Sequence, residues 1–355
     1  MSRWRRAWSR AAVGVVLTLF GPVVRADEPA AAAGGFVKLW SAPLPDLREG
    51  RAESYSVAVE SLVGAFEAQL GLRIQPGEKA RVGLKVYAES GPGLATPVPL
   101  VRAVIDALVR RGYAVENIFL IGLNQLQLQV CGFLPPLGGG ADPFPRQKVY
   151  VLESAGYYDA KWFYENPLPS RFDPFLAQSD DGADQEAALE ENRKSFLATP
   201  LFLDADFWIN LPAYSDHQVL GVNGALVNAT LWNASNTARF FRSESNAPAA
   251  VAEMSAIPEL RQTWLFTLAS LERYQFVGGP WFNSLYTASE PTLLLGTDPV
   301  MMDTFMQTKI DTHRVEAGFK PVSPGIRTLE FAEKLGVGTR RVRPPVEIAT
   351  PGETP

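Results

Sequence analysis

Apolar residues recur along this chain with two different periods. Val59, Leu62, Val63, Phe66 and Leu70, following Ser54, fall at helical spacing and predict one amphipathic helix. "PGEK" then turns the chain, and "ARVGLKVYAE" reads as a strand. The glycines and prolines of "SGPGLATPVP" exclude a helix interior and predict a loop. Thr96 and Pro97 open a second helix on which Val101, Val104, Ile105 and Leu108 repeat the spacing, and Gly112 ends it. "NIFLIGL" is the next strand, so this stretch predicts a right-handed parallel crossover unit.

The middle third is less regular. "SAGYYDAKWFYENPLPSRFDPF" mixes aromatics, read as packing residues, with prolines, and "SDDGADQEAALEENRKSFL" is acidic and helix-prone. "DADFWINLP" returns to strand character, "IPELRQTWLFTLASLERY" reads as a long helix, and "PTLLLGTDPVMMDTFMQTKI" as a strand passing through Asp298-Pro299 into a helix. "RVRPPVEIATPGETP" reads as a loosely held tail. The fold class expected is α/β, a mostly parallel sheet with flanking helices and a central irregular excursion. One domain is expected over residues 51–339, with the excursion at about 152–200, a flexible lead-in over 27–50 and a tail over 340–355.

Composition changes this picture mainly at the N-terminus. Arg3, Arg5, Arg6 and Arg10 precede the apolar run "AAVGVVLTLFGP", and "VRA" stands before Asp27, as in a cleaved export signal over residues 1–26. The alternative, a membrane anchor, meets an apolar run shorter than the roughly 18–20 residues needed to span hydrocarbon. A periplasmic or extracellular location follows, reached by the general secretory route or, given Arg5-Arg6, by a loose twin-arginine signal. Cleavage removes five arginines and no acid, moving the formal charge from -5 to about -10. Such a surface repels nucleic acid, and outside the leader the basic residues cluster only at "TRRVRPP". No nucleic-acid partner and no stable membrane anchor are therefore expected. With Cys131 as the single cysteine, an intramolecular disulfide, a four-thiolate zinc site and an iron–sulfur cluster are excluded.

In open α/β sheets, ligands collect outside the C-terminal ends of the strands. Three loops follow predicted strands: one after Lys85 with Thr96, one after Asn210 with Ser215, Asp216 and His217, and one with Asp298 and, a turn later, Asp303. His217 suits a general base or a metal ligand, and equally a turn histidine, with Asp216 beside it to alter its charge. Asp298 before Pro299 suits a helix cap. Lys85, on an apolar strand, calls for Asp298, Asp303 or a ligand anion as its counter-charge. Asn210 and Asn228 offer neutral donors and acceptors. A divalent metal held by His217 and His313 with Asp298 or Asp303 is chemically reasonable. No common hydrolase, zincin or dinucleotide motif is present.

Three ordered segments resemble domain-of-unknown-function family 362. They are "IQPGEKARVGLKVYAESGPGLATPVPLVRAVIDALVRRGY", "INLPAYSDHQVLGVNGALVN" and "GTDPVMMDTFM", within residues 57–320. The resemblance places Lys85 and Thr96 on the family's lysine and threonine. Ser215 and Val227 stand where that family has lysines, Asp216 replaces its threonine, and Tyr87 falls where its first element leads to an asparagine. Some relatives carry ferredoxin-like segments. What the resemblance implies is a cleft for a small polar or anionic ligand, built from Lys85, Thr96, Asn210, Asp216, His217, Asn228, Asp298 and Asp303. Lys85, His217 and Asp303 are its candidates for catalysis. The alternatives are an inert binding protein with a decayed site and a periplasmic redox accessory.

Overall fold

The computed structural model of the chain describes residues 38–44, 51–154, 157–165, 193–242 and 246–349. The leader at 1–26, most of the lead-in and most of the acidic segment lie outside them. The chain begins with strand β1 (Leu39–Pro43) and helix α1 (Arg51–Leu70), followed by β2 (Val82–Val86), α2 (Val98–Arg110), β3 (Ile118–Gly122), α3 (Gln125–Val130) and β4 (Val149–Val151). A hairpin of β5 (Tyr158–Glu165) and β6 (Lys194–Ala198) leads through α4 (Pro200–Leu203) to β7 (Phe207–Leu211). Then come β8 (Ser215–His217), β9 (Gly221–Asn223), α5 (Ala225–Ala229), α6 (Asn246–Ser255), α7 (Pro258–Thr263) and β10 (Trp264–Ser270). The last elements are β11 (Tyr274–Gln275), β12 (Thr287–Ala288), β13 (Thr292–Gly296), α8 (Pro299–Glu316), α9 (Thr328–Lys334) and β14 (Val346–Glu347).

Eight strands form one sheet in the order β14-β1-β13-β10-β7-β2-β3-β4, and β12-β11-β8-β9 form a smaller one. From β10 to β4 every pairing is parallel, whereas β13 runs antiparallel to both β10 and β1. The fold is thus α/β with a mostly parallel sheet and flanking helices. Strand alternation divides the core. Val82, Leu84, Ile209, Leu211, Phe266 and Leu268 meet α1 and α2 on one face, while Phe119, Ile121 and Trp208 meet the helices that follow β6 on the other.

Four expectations are corrected. The run "WLFTLAS" is a central strand and not the second half of a helix. It is apolar and buried on both faces, a pattern that periodicity alone cannot assign. Residues 194–197 of the acidic segment are strand, because Phe196 and Ser195 pair with Phe163 and Tyr164. β1 belongs to the sheet, with Trp40 opposite Leu295, so the lead-in ends before residue 39. The tail is anchored as well: Val346 pairs with Trp40, and Ile348 N–H donates to the Ser41 carbonyl at 2.8 Å.

Candidate ligand cleft and the buried network beneath it

The order of the strands creates the site. From β2 the chain crosses to β3 over the face that carries α2, whereas β7 lies on the opposite side of β2 and continues to β10 over the other face. The loops after β2 and β7 therefore diverge, and a crevice opens between them. A cavity of about 310 Å³ occupies this place, lined by Pro92–Pro99, Val130, Cys131, Pro212, Ala213, Ser270, Glu272 and Arg273. Its walls are tied together across the rim. Arg273 Nη1 donates to the Gly93 carbonyl at 2.9 Å, and the Tyr55 hydroxyl meets Ser270 Oγ at 2.6 Å and donates to Glu272 Oε2 at 3.0 Å. Cys131 faces this cleft as a closed thiol, its Sγ directed at the Ala88 carbonyl and its pKa pushed up to about 12 by burial.

Of the residues singled out in the sequence, Thr96 lines the cleft. Its hydroxyl holds the two diverging loops together, donating to the Leu211 carbonyl and accepting from Tyr87 N–H at 2.8 Å.

Lys85, Asn210 and Asn228 come together one layer below, beneath α5. Lys85 and Asn210 are register partners on neighbouring strands, and both side chains point to the face that α5 covers. Asn228, on α5, donates to Asn210 Oδ1 at 2.8 Å and accepts from Lys85 Nζ at 3.2 Å. Lys85 Nζ also donates to the Val86 carbonyl at 2.9 Å, and Asn210 Nδ2 to the Ala225 carbonyl at 2.8 Å. Lys85 is only 1% exposed. Burial lowers its pKa and raises that of Glu89, whose carboxylate supplies the opposing charge. The expected counter-charges, Asp298 and Asp303, are not its partners.

Asp303 anchors the same helix from another side. Its carboxylate accepts from Ala225 N–H at 2.7 Å, Leu226 N–H at 3.0 Å and the Tyr214 hydroxyl at 2.9 Å, so it satisfies amides at the start of α5. Burial raises its pKa to about 6 against the lowering effect of those bonds.

Asp298, Asp216 and His217 lie apart from this group. Because β13 is antiparallel to β10, the loop that follows it emerges at the end of the sheet opposite the cleft. There Asp298 caps α8 through Met301 N–H at 2.9 Å, accepts from Thr339 N–H at 3.0 Å and pairs with Lys38 at 3.2 Å. Asp216 forms an ion pair with Arg314 at 2.8 Å and accepts from Gly279 N–H at 2.7 Å, which fixes the 278–279 turn; burial raises its pKa. His217 Nδ1 accepts from Val219 and Leu220 N–H, both at 3.2 Å, its ring lies against Phe241, and burial lowers its pKa to about 4. It is a neutral turn histidine, so the expectation of one hollow shared by all eight residues is not met.

The divalent metal site fares likewise. His313 contacts the Tyr274 hydroxyl at 2.9 Å and Glu316 at 3.2 Å, while the Nδ1 of His217 is taken by backbone amides. Among the described residues, no group of three or more His, Cys, Asp or Glu is placed to hold a metal ion. The described aromatics of the excursion do not enter the cleft: Trp162 packs on Phe202, Tyr164 on Phe240 and Tyr157 on Tyr150. Ser270, Glu272 and Arg273 escaped sequence reasoning because their strand read as a helix. The polar Ser270, Glu272 and Arg273, closing and directly following the run "WLFTLAS", were the available signal.

No family model and no curated protein matches the chain. A crystal structure of a protein from Thermotoga maritima, a structural-genomics target, matches it with a TM-score of 0.37 and 12% sequence identity over 76% of this chain. The chain spans 59% of the length of that protein.

Proposed function

We propose that this is an exported protein that binds a small polar ligand in the cleft between the loops after β2, β7 and β10. The observation that carries the reading is the position of the 310 Å³ cavity, outside the C-terminal strand ends where the connections part. Its lining suits a small polar molecule. Thr96, Ser270, Glu272 and Arg273 supply hydroxyl, carboxylate and guanidinium groups, and proline and alanine supply apolar wall. The Lys85–Asn228–Asn210 network is the rigid floor that keeps the diverging loops in register. Export rests on the arginine-led apolar run at 1–26, and membership of family 362 on the three resembling segments; both belong to this proposal.

Native mass spectrometry of the protein purified from its own cell envelope tests the reading, alongside Ala95→Trp, which fills the cleft from its wall. A small molecule that co-purifies with the natural protein and is lost from the variant is expected. Retention of that molecule by a folded Ala95→Trp protein would place the ligand elsewhere and refute the assignment. The intact mass also reads the N-terminus, expected at Asp27.

A further inference from the structure

The cleft carries opposite charges on two adjacent residues, and their side chains part. In the sheet, β13 and β1 lie on one side of β10, β7 and β2 on the other. Glu272 turns to the first side, where α1 packs on β1 and β13, and its Oε2 accepts from the Tyr55 hydroxyl of α1 at 3.0 Å. Arg273 turns to the second side, where its Nη1 donates to the Gly93 carbonyl in the loop after β2 at 2.9 Å. Both residues line the cavity, so one of its sides is negative and the other positive.

Each charge keeps capacity for a ligand. Gly93 takes one N–H donor of Arg273, and among the described residues no carboxylate pairs with this guanidinium. It is held in place over the Phe282 ring, 5.9 Å from the centroid, and that ring fills the space a Cβ of Gly93 would need. The Glu272 carboxylate, with about four acceptor sites, can take an ammonium beside its present partners.

Helix α2 strengthens the positive side. Thr96, Pro97 and Val98 line the cavity where this helix begins, and its N-cap, Pro97, has no side chain to cap the first amides. The positive end of a 13-residue helix therefore opens on the loop that Arg273 reaches.

We propose that the cleft takes a free α-amino acid with an apolar side chain. Arg273 and the start of α2 bind its carboxylate, Glu272 binds its ammonium, and the wall of Val98, Pro99 and Val130 takes its side chain. A monoanion would meet Glu272 uncompensated, a monocation would meet Arg273, and a neutral molecule would desolvate both without a counter-charge. At about 310 Å³ the cavity stands at the lower end of ligand pockets, which run from roughly 300 to 1,000 Å³. The two charges of its ligand must then lie close together, as they do on the one carbon atom of an α-amino acid. This proposal rests on the reading of the cleft as a ligand site and names the class of ligand that it takes.

Isothermal titration of the protein purified from its own cell envelope and dialysed tests it. The probes are L-leucine and L-valine, their amides, which keep the ammonium and lack the carboxylate, and the matching branched fatty acids, which keep the carboxylate and lack the ammonium. The variants are Arg273→Gln, which can still donate to Gly93, and Glu272→Gln, which can still accept from Tyr55. Ala95→Trp is the cleft control, and circular dichroism checks folding. Saturable binding of an amino acid is expected, at least tenfold tighter than that of its one-charge analogues and lost in Ala95→Trp. Arg273→Gln should weaken the amino acid at least tenfold and leave the amide within about twofold; Glu272→Gln should do the same with the fatty acid spared. Equal losses for the amino acid and the spared analogue would mean that the residue only shapes the cleft, and would overturn the assignment. Fatty acids or amides that bind as tightly as the amino acids would overturn the zwitterion and leave the cleft reading intact. Binding by neither amino acid would overturn the class of ligand, and the co-purification experiment would then judge the cleft alone. Amino-acid binding retained by folded Ala95→Trp would overturn both this proposal and the cleft reading.

Discussion

Replacing Asp303 by asparagine isolates a competition visible in the structure. Three hydrogen bonds, from Ala225 N–H, Leu226 N–H and the Tyr214 hydroxyl, favour the carboxylate, while complete burial disfavours it. Burial prevails and raises the pKa from 3.8 to about 6. A carboxyl group raised in the folded state binds more protons there than in the unfolded chain. Its stabilising contribution is therefore complete below pH 3.8 and is lost as the pH rises through about 6. A shift of roughly two units corresponds to about 3 kcal/mol. Urea unfolding of wild type and Asp303→Asn at intervals from pH 3.5 to 7.5 measures this. The other titrating groups are common to both proteins and cancel in the difference. Relative to wild type, the variant should gain about 3 kcal/mol across that range, on top of a constant cost for the hydrogen bonds that an amide cannot reproduce. A difference flat within about 0.5 kcal/mol would show that the three bonds balance burial, and one that changes in the opposite direction that they outweigh it; either would refute the reasoning.

Two further outcomes follow from the same layer of the structure. In a double-mutant cycle, Asn228→Leu takes one of the two hydrogen bonds of Lys85 Nζ and the donor of Asn210 Oδ1, leaving the Val86 carbonyl and the Glu89 charge in place, and should cost about 2–4 kcal/mol. Lys85→Met should cost much less, and the pair should fall short of additivity by more than 1 kcal/mol; denaturant midpoints that add within about 0.5 kcal/mol would mean that the 3.2 Å contact carries no coupling. Asp298→Ala removes a helix cap at the end of the sheet away from the cleft. It should lower stability by about 1–2 kcal/mol and leave the affinity for any cleft ligand within twofold, as calorimetry with the ligand identified by mass spectrometry would show.

The local elements were legible in the sequence where turn residues or a cap bracket a stretch of one periodicity. Helix α2 shows its buried stripe of Val101, Val104, Ile105 and Leu108 at the expected spacing. The cap at Asp298 follows from three neighbouring residues. Legibility failed at β10, which follows α7 with no glycine or proline between them, whereas β2 and β3, equally dry on both faces, are set off by turn residues; it failed too where pairing partners are remote. β1 and β14 are short, and only their alignment with each other and with β13 makes them strands. The candidate site was legible as a group of unusual residues and not as a geometry. Lys85, Asn210, Asn228 and Asp303 do come together, but as an inward network whose polar atoms bond one another and the backbone of α5.

What the sequence by itself determined is the set of local preferences: the α/β alternation, the position of the crossover, the loop after β2 with Thr96, and the helix start at Asp298. Each depends on residues within a few positions of one another, through backbone sterics, capping and the facing of apolar side chains. Only the tertiary structure decided which end of the sheet each loop reaches. The antiparallel course of β13 sends Asp298 away from the cleft, and the reversal at β2 and β7 opens the cavity where Ser270, Glu272 and Arg273 arrive from a third strand. Strand direction is set by pairing between segments scores of residues apart, and that information is absent from any local window of the chain.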